Sequence, residues 1–499
     1  MTDSHGTDAK AHLARKLGLI GLAATGICSM LGASIYIVPF MIQRSVPGIG
    51  PYVLPAFLFA AVPALLAAFA YGALASAMPR AGGSYIYASR GLSPYLGFIA
   101  SFSQWFGLSI VIGVIAYVIV PFLRDIALGM HWTGLAAWLE LGLVRVLLAL
   151  SLIWLFVYVN VRGAKPYERT LIPMMFLMFA LGAIVIVAGL FNDHSDFARA
   201  LMAKEGRLIP AAPDKGLDWI VFLSASALLF SSFIGFDSIA QAGGEAKNPG
   251  RNLPLAIAIA VLTVGGFYFL FTYSVYHAVP WTFIAEEANI RDISAAGVMA
   301  YLLPAALAVA ILAGAAVALI NDLPAMLLSV SRLMFAWAED GIFPASLTRV
   351  HKRFQTPHLA LATSGLIASL GVIGSHFAGD FFLGIDIMVT AMMVNFLLMC
   401  LTLISLPKTN PALAAGITTV KNRTHQLLLG WTGTLFLCVF LVVHVAKDLT
   451  ATVGAWYFHS TWVWLIVMAL GSMVFFVKMN VLKKSGTDVD ELFKKLPEQ

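Results

Sequence analysis

Long apolar segments follow one another along almost the whole chain, with short polar stretches between them. A helix needs about 20 apolar residues to cross the roughly 30 Å of hydrocarbon in a bilayer. Twelve segments are long enough, with approximate bounds of 17–42, 51–78, 95–121, 142–161, 171–191, 218–242, 254–279, 297–331, 359–378, 382–406, 427–446 and 455–479. The pattern predicts an all-α polytopic membrane protein with 12 transmembrane helices.

The composition supports a chain that is surrounded by lipid. Of its 499 residues, 60% are hydrophobic and 11% are charged, whereas a soluble domain carries about 25% charged residues. The net charge of +6 does not indicate nucleic-acid binding, because the basic residues are spread over short loops. The three cysteines lie in apolar segments without the spacing of a metal site. We therefore expect one membrane domain in the lipid bilayer, with no nucleic acid, no metal and no cofactor.

The basic residues also predict the orientation of the helices. If residues 1–16 form a cytoplasmic N-terminal segment, most of the 31 Lys and Arg residues lie on the cytoplasmic side of the predicted helices, as the positive-inside rule requires. The first apolar segment is longer than the core of a signal peptide, so we expect it to remain as the first span. We expect a multi-pass protein of the plasma (inner) membrane, with both termini cytoplasmic and 480–499 as a C-terminal tail.

Two of the predicted helices carry small and polar residues at the depth expected for the middle of the membrane. These residues are 25–34 in the first helix and 231–238 in the sixth. An unbroken helix is the default in lipid, because it satisfies every backbone polar group. A break would expose N–H groups, which attract a carboxylate, and C=O groups, which attract an ammonium group or a metal cation. Close packing of helices would also explain small residues in either segment alone.

The positions of these two segments favour helix breaks over simple packing. If spans 1–5 and 6–10 are two inverted halves, each segment lies in the opening helix of its half. Interrupted helices at corresponding positions of two halves indicate the substrate site of a secondary transporter. The sequence therefore predicts a transporter with its site between the first and sixth helices.

Three aspartates lie within the apolar segments, at positions 237, 322 and 386. A carboxylate inside a span costs at least about 2.5 kcal/mol, so each needs a partner or a function. Asp237 could attract a cationic group, carry a coupling proton or brace a gate, or it could cap the broken sixth helix. Nothing nearby in the sequence indicates a role for Asp322 or Asp386, and we expect both to be structural.

Four stretches, in order along the chain, carry a family resemblance. They are residues 26–36, residues 71–85, Ser232-Phe-Ile-Gly-Phe-Asp237 with Glu245-Ala-Lys-Asn-Pro249, and Ser331-Arg332 with Glu339-Asp-Gly-Ile-Phe-Pro344. In these stretches the chain resembles the amino acid–polyamine–organocation superfamily, and within it bacterial permeases similar to cationic amino acid transporters. The resemblance implies a 5+5 inverted repeat (LeuT-like) plus two C-terminal helices. The transporter core would be 17–406, with repeats at about 17–191 and 218–406, and helices 11 and 12 would lie within 427–479.

The resemblance implies a carboxylate-binding segment in the first helix. Backbone N–H groups around Gly32, Ala33 and Ser34 would receive the carboxylate of a substrate. Cys28 and Ser34 stand where the family usually has glycine, so the segment departs from the family pattern. A side chain at these positions would reshape or narrow the site.

The resemblance also implies contacts for the rest of a substrate. The carbonyl groups of Met30, Ser231 and Ile234 would receive an ammonium group. Met326, on the eighth helix, would lie beside the substrate's side chain.

The coupling mechanism rests on a few further positions. The fifth-helix lysine that takes part in proton coupling in some relatives is Met178 here, and a thioether cannot titrate. Protonation of Asp237 is another route to H⁺ coupling. Sodium, the less favoured coupling ion, would use hydroxyl groups such as those of Ser329 or Ser331, although serines in a membrane helix commonly bond their own backbone.

The sequence thus predicts a secondary active transporter that moves amino acids by alternating access, through proton symport or exchange. Import or exchange of polyamines or other amines is the alternative, because Asp237 could pair with a second positive charge. No catalytic constellation is present in the sequence, so we do not expect an enzyme. The expected partners are an amino acid or amine substrate and the bilayer, with the chain acting as a monomer or homodimer.

Overall fold

The computed structural model describes residues 13–32, 34–212, 216–378 and 381–498. Within these ranges the chain is a bundle of helices without β-strands. Eleven helical spans in the described ranges are long and apolar enough to cross a membrane, and a shorter apolar helix at Trp219–Phe233 belongs to a twelfth, interrupted span. The prediction of an all-α polytopic membrane protein is confirmed.

We number the spans 1–12 in chain order. Span 1 consists of half-helices 1a (Leu19–Met30) and 1b (Ser34–Ser45), and span 6 consists of half-helices 6a (Trp219–Phe233) and 6b (Asp237–Gln241). The continuous spans are Val53–Ala77 (2), Pro94–Gly129 (3), Gly142–Val161 (4), Ala164–Phe191 (5), Pro249–Ala278 (7), Ala305–Glu339 (8), His358–Ala378 (9), Phe381–Thr409 (10), Arg423–Thr450 (11) and Ser460–Lys484 (12). Short connecting helices include Gly83–Gly91, Thr133–Glu140, His194–Glu205, Trp281–Ile290 and Ala295–Met299.

Span 8 differs most from its predicted bounds. It occupies Ala305–Glu339 rather than 297–331, because the apolar residues before it form the separate helix Ala295–Met299. Pro304 precedes the first turn of span 8. Because proline has no backbone N–H, it cannot donate the hydrogen bond that would continue the helix into the preceding residues. At its other end, span 8 continues past Arg332 through mostly apolar residues to Glu339.

The same order of elements occurs twice in the chain. Spans 1–5 and spans 6–10 each begin with an interrupted helix, and each has its longest helix in third place, with 36 residues in span 3 and 35 in span 8. Each half contains five spans, an odd number, so the second half crosses the membrane in the opposite sense. This is the inverted arrangement predicted from the sequence.

Span 1 lies at the centre of the bundle. In its most apolar 18-residue window, 94% of the residues are buried, compared with 22% in spans 4 and 12. Spans 3 and 8 pack along each other, and span 3 also packs against spans 9 and 10. The interrupted helix is thus enclosed by other helices, which keeps the backbone groups at its break away from lipid.

Two buried ion pairs stabilise the end of the bundle where Leu17 and Pro497, near the two ends of the described chain, make their hydrogen bonds, and we call this end the terminal face. Arg332 of span 8 pairs with Glu245 at 2.6 Å, and Arg90 pairs with Asp340 at 2.6 and 2.9 Å. The Leu17 N–H also donates to the Glu245 C=O at 2.9 Å. Buried charges are tolerated when they are paired and hydrogen-bonded in this way. The terminal face is therefore closed where spans 1, 6 and 8 meet.

The C-terminal tail packs on the terminal face. It contains the short helix Val489–Leu492, after which the carbonyl groups of residues 494, 495 and 497 accept hydrogen bonds. Their donors are the Asn410 Nδ2, Arg90 Nε and Arg80 Nε groups, at 2.9, 3.1 and 2.9 Å. The tail is thereby tied to the loop after span 2 and to the end of span 10.

Gly235, in the break of span 6, can be occupied only by glycine without strain. Its φ is +133°, a value that residues with a Cβ rarely adopt. A Cβ at this position would also overlap the backbone carbonyl of Ser29 in span 1. The two interrupted helices can approach each other this closely because position 235 has no side chain.

We expect Gly235→Ala to lower the free energy of unfolding by at least about 2 kcal/mol, through backbone strain and overpacking. The measurement is the thermal midpoint of the purified protein in detergent. Gly266→Ala is the matched control, since Gly266 is exposed in span 7 and a methyl group added there would meet no atom within 4 Å. Equal midpoints for the two variants would contradict the close packing assigned to Gly235.

Candidate functional site

The two interrupted helices meet at their breaks. Half-helix 1a ends at Met30 and is followed by the non-helical residues Leu31 and Gly32. Half-helix 6a ends at Phe233, shortly before Gly235. The hydroxyl groups of Ser29 and Ser238 lie 2.9 Å apart and join the two spans. Both helices are thus interrupted where the sequence predicted, and the breaks are in direct contact.

A cavity of about 50 Å³ lies beside the breaks. One ordered water needs roughly 10–15 Å³ of such space, so the cavity has room for part of a small solute. Spans 1, 3, 6, 8 and 10 contribute its wall: Ser29, Met30, Gly32, Val111, Val114, Ile115, Ser231, Ile234, Leu319, Asp322, Met326, Ile385 and Met388. Among the described residues, Asp322 is the only member of this wall with an ionisable side chain.

The cavity brings together five of the seven residues that were predicted to bind substrate. Ala33 lies outside the described residues, and the side chain of Ser34, the first residue of half-helix 1b, is likewise not described. The five that line the cavity are Met30, Gly32, Ser231, Ile234 and Met326. Their roles toward a substrate stay predictions.

The backbone groups at the break of span 1 already have partners. The Met30 C=O accepts hydrogen bonds from the Gly32 N–H at 3.0 Å and from the Tyr268 hydroxyl at 2.9 Å. A carbonyl oxygen has two lone pairs, so both are used. An ammonium group at the Met30 C=O, or a carboxylate at the Gly32 N–H, would have to share or replace these bonds.

Asp322 of span 8 reaches across to the break of span 1. The residue is only 2% exposed, and its Oδ2 atom lies so close to Gly32 that a Cβ there would overlap it. Its Oδ1 atom has no hydrogen-bond partner among the described residues. We expected a structural role for Asp322 from the sequence, but the structure places it in the cavity wall. Its spacing of four residues from Met326 was the available signal, because such residues share a helix face.

The apolar part of the wall could not be recognised in the sequence. Val111, Val114 and Ile115 share one face of span 3, and Ile385 and Met388 share one face of span 10. The polar side chains of these spans, such as Gln104 and Asn395, do not line the cavity, so no contrast between polar and apolar positions marks the face that is turned toward it.

Asp237 lies outside the cavity wall, in a buried polar network beside the break of span 6. Its Oδ1 accepts a hydrogen bond from the Gly235 N–H at 3.1 Å, and its Oδ2 accepts one from the Gln104 side chain of span 3. Gln104 Oε1 in turn accepts from Gln241 at 3.2 Å and from Asn395 of span 10 at 3.3 Å. The carboxyl group thus caps the break and ties it to spans 3 and 10.

The other predicted coupling residues do not line the cavity. Met178 is buried in span 5, and Ser329 is buried in span 8 with no hydroxyl partner among the described residues. The Ser331 hydroxyl donates to the Leu328 C=O at 2.8 Å and accepts from Arg332. Their roles in coupling stay predictions.

The fold and the paired helix breaks around a small cavity define a polytopic membrane protein built as secondary transporters are built. A family model described as amino acid permease matches residues 17–471. The chain belongs to this amino acid permease family, which confirms the resemblance noted in the sequence.

Several named transporters are similar to this chain. The vacuolar cationic amino acid transporter 4 of Arabidopsis thaliana is 29% identical over 72% of this chain and 59% of its own length. Human cationic amino acid transporter 4 is 28% identical over 72% of this chain and 55% of its own length. The methylthioribose transporter of Bacillus subtilis (strain 168) is 24% identical over 95% of both chains. This chain therefore spans less than two thirds of the two cationic amino acid transporters.

We expect Asp237→Asn to reduce transport at least about tenfold while the protein still folds, because an amide offers one acceptor where the network uses two. The measurement is the initial rate of uptake into proteoliposomes, together with the thermal midpoint. Wild-type rates in this variant would remove Asp237 from the transport cycle.

The double variant D237N/Q104E separates hydrogen bonding from charge at position 237. The new amide can donate to the glutamate, which can also accept from Gln241 and Asn395, so the network is restored with the charge moved to span 3. We expect uptake to recover in part. A folded double variant as inactive as Asp237→Asn would instead place the negative charge of Asp237 itself in the coupling step.

Proposed function

We propose that this protein is a secondary active transporter that moves a small solute with a primary ammonium group across the membrane. The substrate is an amino acid or a closely related amine, and the cavity between the breaks of spans 1 and 6 is its binding site. Transport proceeds by alternating access, coupled by proton symport or exchange, and the protein is not an enzyme. The chain lies in the plasma (inner) membrane with both termini in the cytoplasm.

The observation that carries this proposal is the contact between the two breaks. A continuous helix offers no free backbone groups in the middle of a membrane, whereas a half-helix end offers dipoles that bind ionic solutes. Here two such ends lie against a cavity and are joined through Ser29 and Ser238. A scaffold or receptor would not need paired breaks at this position.

The relatives support small organic solutes as the substrate class, although their names do not agree on one compound. Two of them are named for cationic amino acids, and one is named for methylthioribose. An amino acid fits the half-helix ends, which provide for both a carboxylate and an ammonium group. An amine is the second candidate, and the specific observation in its favour is the carboxyl group of Asp322 in the cavity wall.

The test is uptake into proteoliposomes from a panel of amino acids and amines, with proton, sodium and preloaded-substrate gradients varied separately. We expect saturable uptake of an ammonium-bearing compound that responds to a proton gradient or to preloaded substrate. Absence of binding and uptake for every amino acid and amine would contradict the proposal.

We expect Gly32→Leu to abolish substrate binding, because its side chain would collide with Asp322 and fill the cavity. Binding is measured as ligand-induced thermal stabilisation of the purified protein. Gly266→Leu is the control for adding the same side chain at an exposed position of span 7. Unchanged binding by a folded Gly32→Leu variant would show that the substrate site lies elsewhere.

A further inference from the structure

The cavity wall contains a carboxyl group at the place where the carboxylate of an amino acid is expected. Asp322 Oδ2 lies against Gly32, and its Cγ is 3.1 Å from the position of a Cβ on that glycine. Half-helix 1b begins two residues later, at Ser34. The N-terminal end of a helix favours a negative group, and here the chain itself supplies one from span 8.

A substrate carboxylate would therefore meet a like charge. Two carboxylates at the same half-helix end repel each other, and burial strengthens the repulsion because little water screens it. The Gly32 N–H, which would receive the substrate carboxylate, is already bonded to the Met30 C=O. Both features disfavour the binding of a zwitterion. Neither disfavours the binding of an amine that has no carboxylate.

The second oxygen of Asp322 is placed to receive a cation. Asp322 Oδ1 is buried and has no hydrogen-bond partner among the described residues. A buried polar atom without a partner is costly, and an ammonium group in the cavity would supply both a hydrogen bond and a compensating charge. Ser231 lines the same cavity. Its C=O accepts one hydrogen bond, from the Ile234 N–H at 3.2 Å, and a carbonyl oxygen can accept a second.

The rest of the wall limits the substrate to one positive charge. Apart from Asp322, the described lining residues are serines, a glycine and apolar side chains, among them Val114, Leu319 and Met388. Asp237 cannot serve a second ammonium group without disrupting the bonds that it makes to Gly235 and Gln104. A diamine or polyamine would leave its second charge against apolar side chains.

We propose that Asp322 takes the place of the substrate carboxylate and selects a monoamine with an apolar substituent over the corresponding amino acid. This inference rests on the proposed function, since it assumes that the cavity between the breaks is the substrate site. Asp322 is then a specificity-determining residue that pairs directly with the substrate ammonium group.

The test compares amino acids with the amines that lack only the carboxylate: leucine with isoamylamine, phenylalanine with phenethylamine, and lysine with cadaverine. Binding to the purified full-length protein is measured in detergent by thermal stabilisation, because neutral amines cross lipid on their own. We expect isoamylamine or phenethylamine to bind at least about tenfold more tightly than its amino acid and than cadaverine. Tighter binding of the amino acids would overturn the inference but leave the proposed function standing. Tightest binding of cadaverine would also overturn it, in favour of diamines.

The variant Asp322→Asn keeps the shape of the side chain and removes its charge. We expect the amine affinity to fall at least about tenfold and the ratio of amine to amino acid affinity to fall or invert. Asp386→Asn is the matched control, since it removes a carboxyl group of span 10 that does not line the cavity, and its ratio should equal that of the wild type. An unchanged ratio in a folded Asp322→Asn variant would refute the role of Asp322. If that variant does not fold, the wild-type ratio decides, and a wild type that binds no compound refutes the proposed function as well.

Discussion

Peptide groups that lack a hydrogen-bond partner are not tolerated in contact with lipid, and this constraint explains much of the architecture. Spans 1 and 6 are interrupted, so both must be enclosed by other helices. Gly235 allows the two breaks to touch, and the Ser29–Ser238 hydrogen bond joins them. Spans 3, 8 and 10 complete the enclosure and leave a small cavity beside the two breaks. The cavity is thus a product of how the interrupted helices are sheltered.

Two buried carboxyl groups near the breaks differ in how their oxygens are used. Both oxygens of Asp237 accept hydrogen bonds, from Gly235 and Gln104, and the side chain holds the break of span 6 in position. Asp322 has an oxygen without a described partner and lies in the cavity wall. The first arrangement is that of a cap, and the second is that of a group available to a solute. Burial alone would not have distinguished them, since both residues are almost completely inaccessible.

The sequence predicted the features that depend on neighbouring residues. Apolar runs indicated the spans, and glycines with serines at mid-membrane depth indicated the two breaks. It did not predict contacts between residues that are far apart in the chain. Asp322 meets Gly32 only because span 8 packs against span 1, and nothing around either residue specifies that packing. The cavity-facing side of spans 3 and 10 was equally hidden, because their polar side chains, such as Gln104 and Asn395, do not line the cavity and so do not mark that side.

The docked C-terminal tail has a practical consequence for work on this protein. The carbonyl groups of residues 494, 495 and 497 accept hydrogen bonds from Asn410, Arg90 and Arg80, close to the Arg90–Asp340 pair. Any rearrangement that separates these elements must also release the tail. A bulky fusion partner or an affinity label attached at the carboxyl end would lie beside these hydrogen bonds, and one large enough to displace them would bias the protein toward whichever conformation frees the tail.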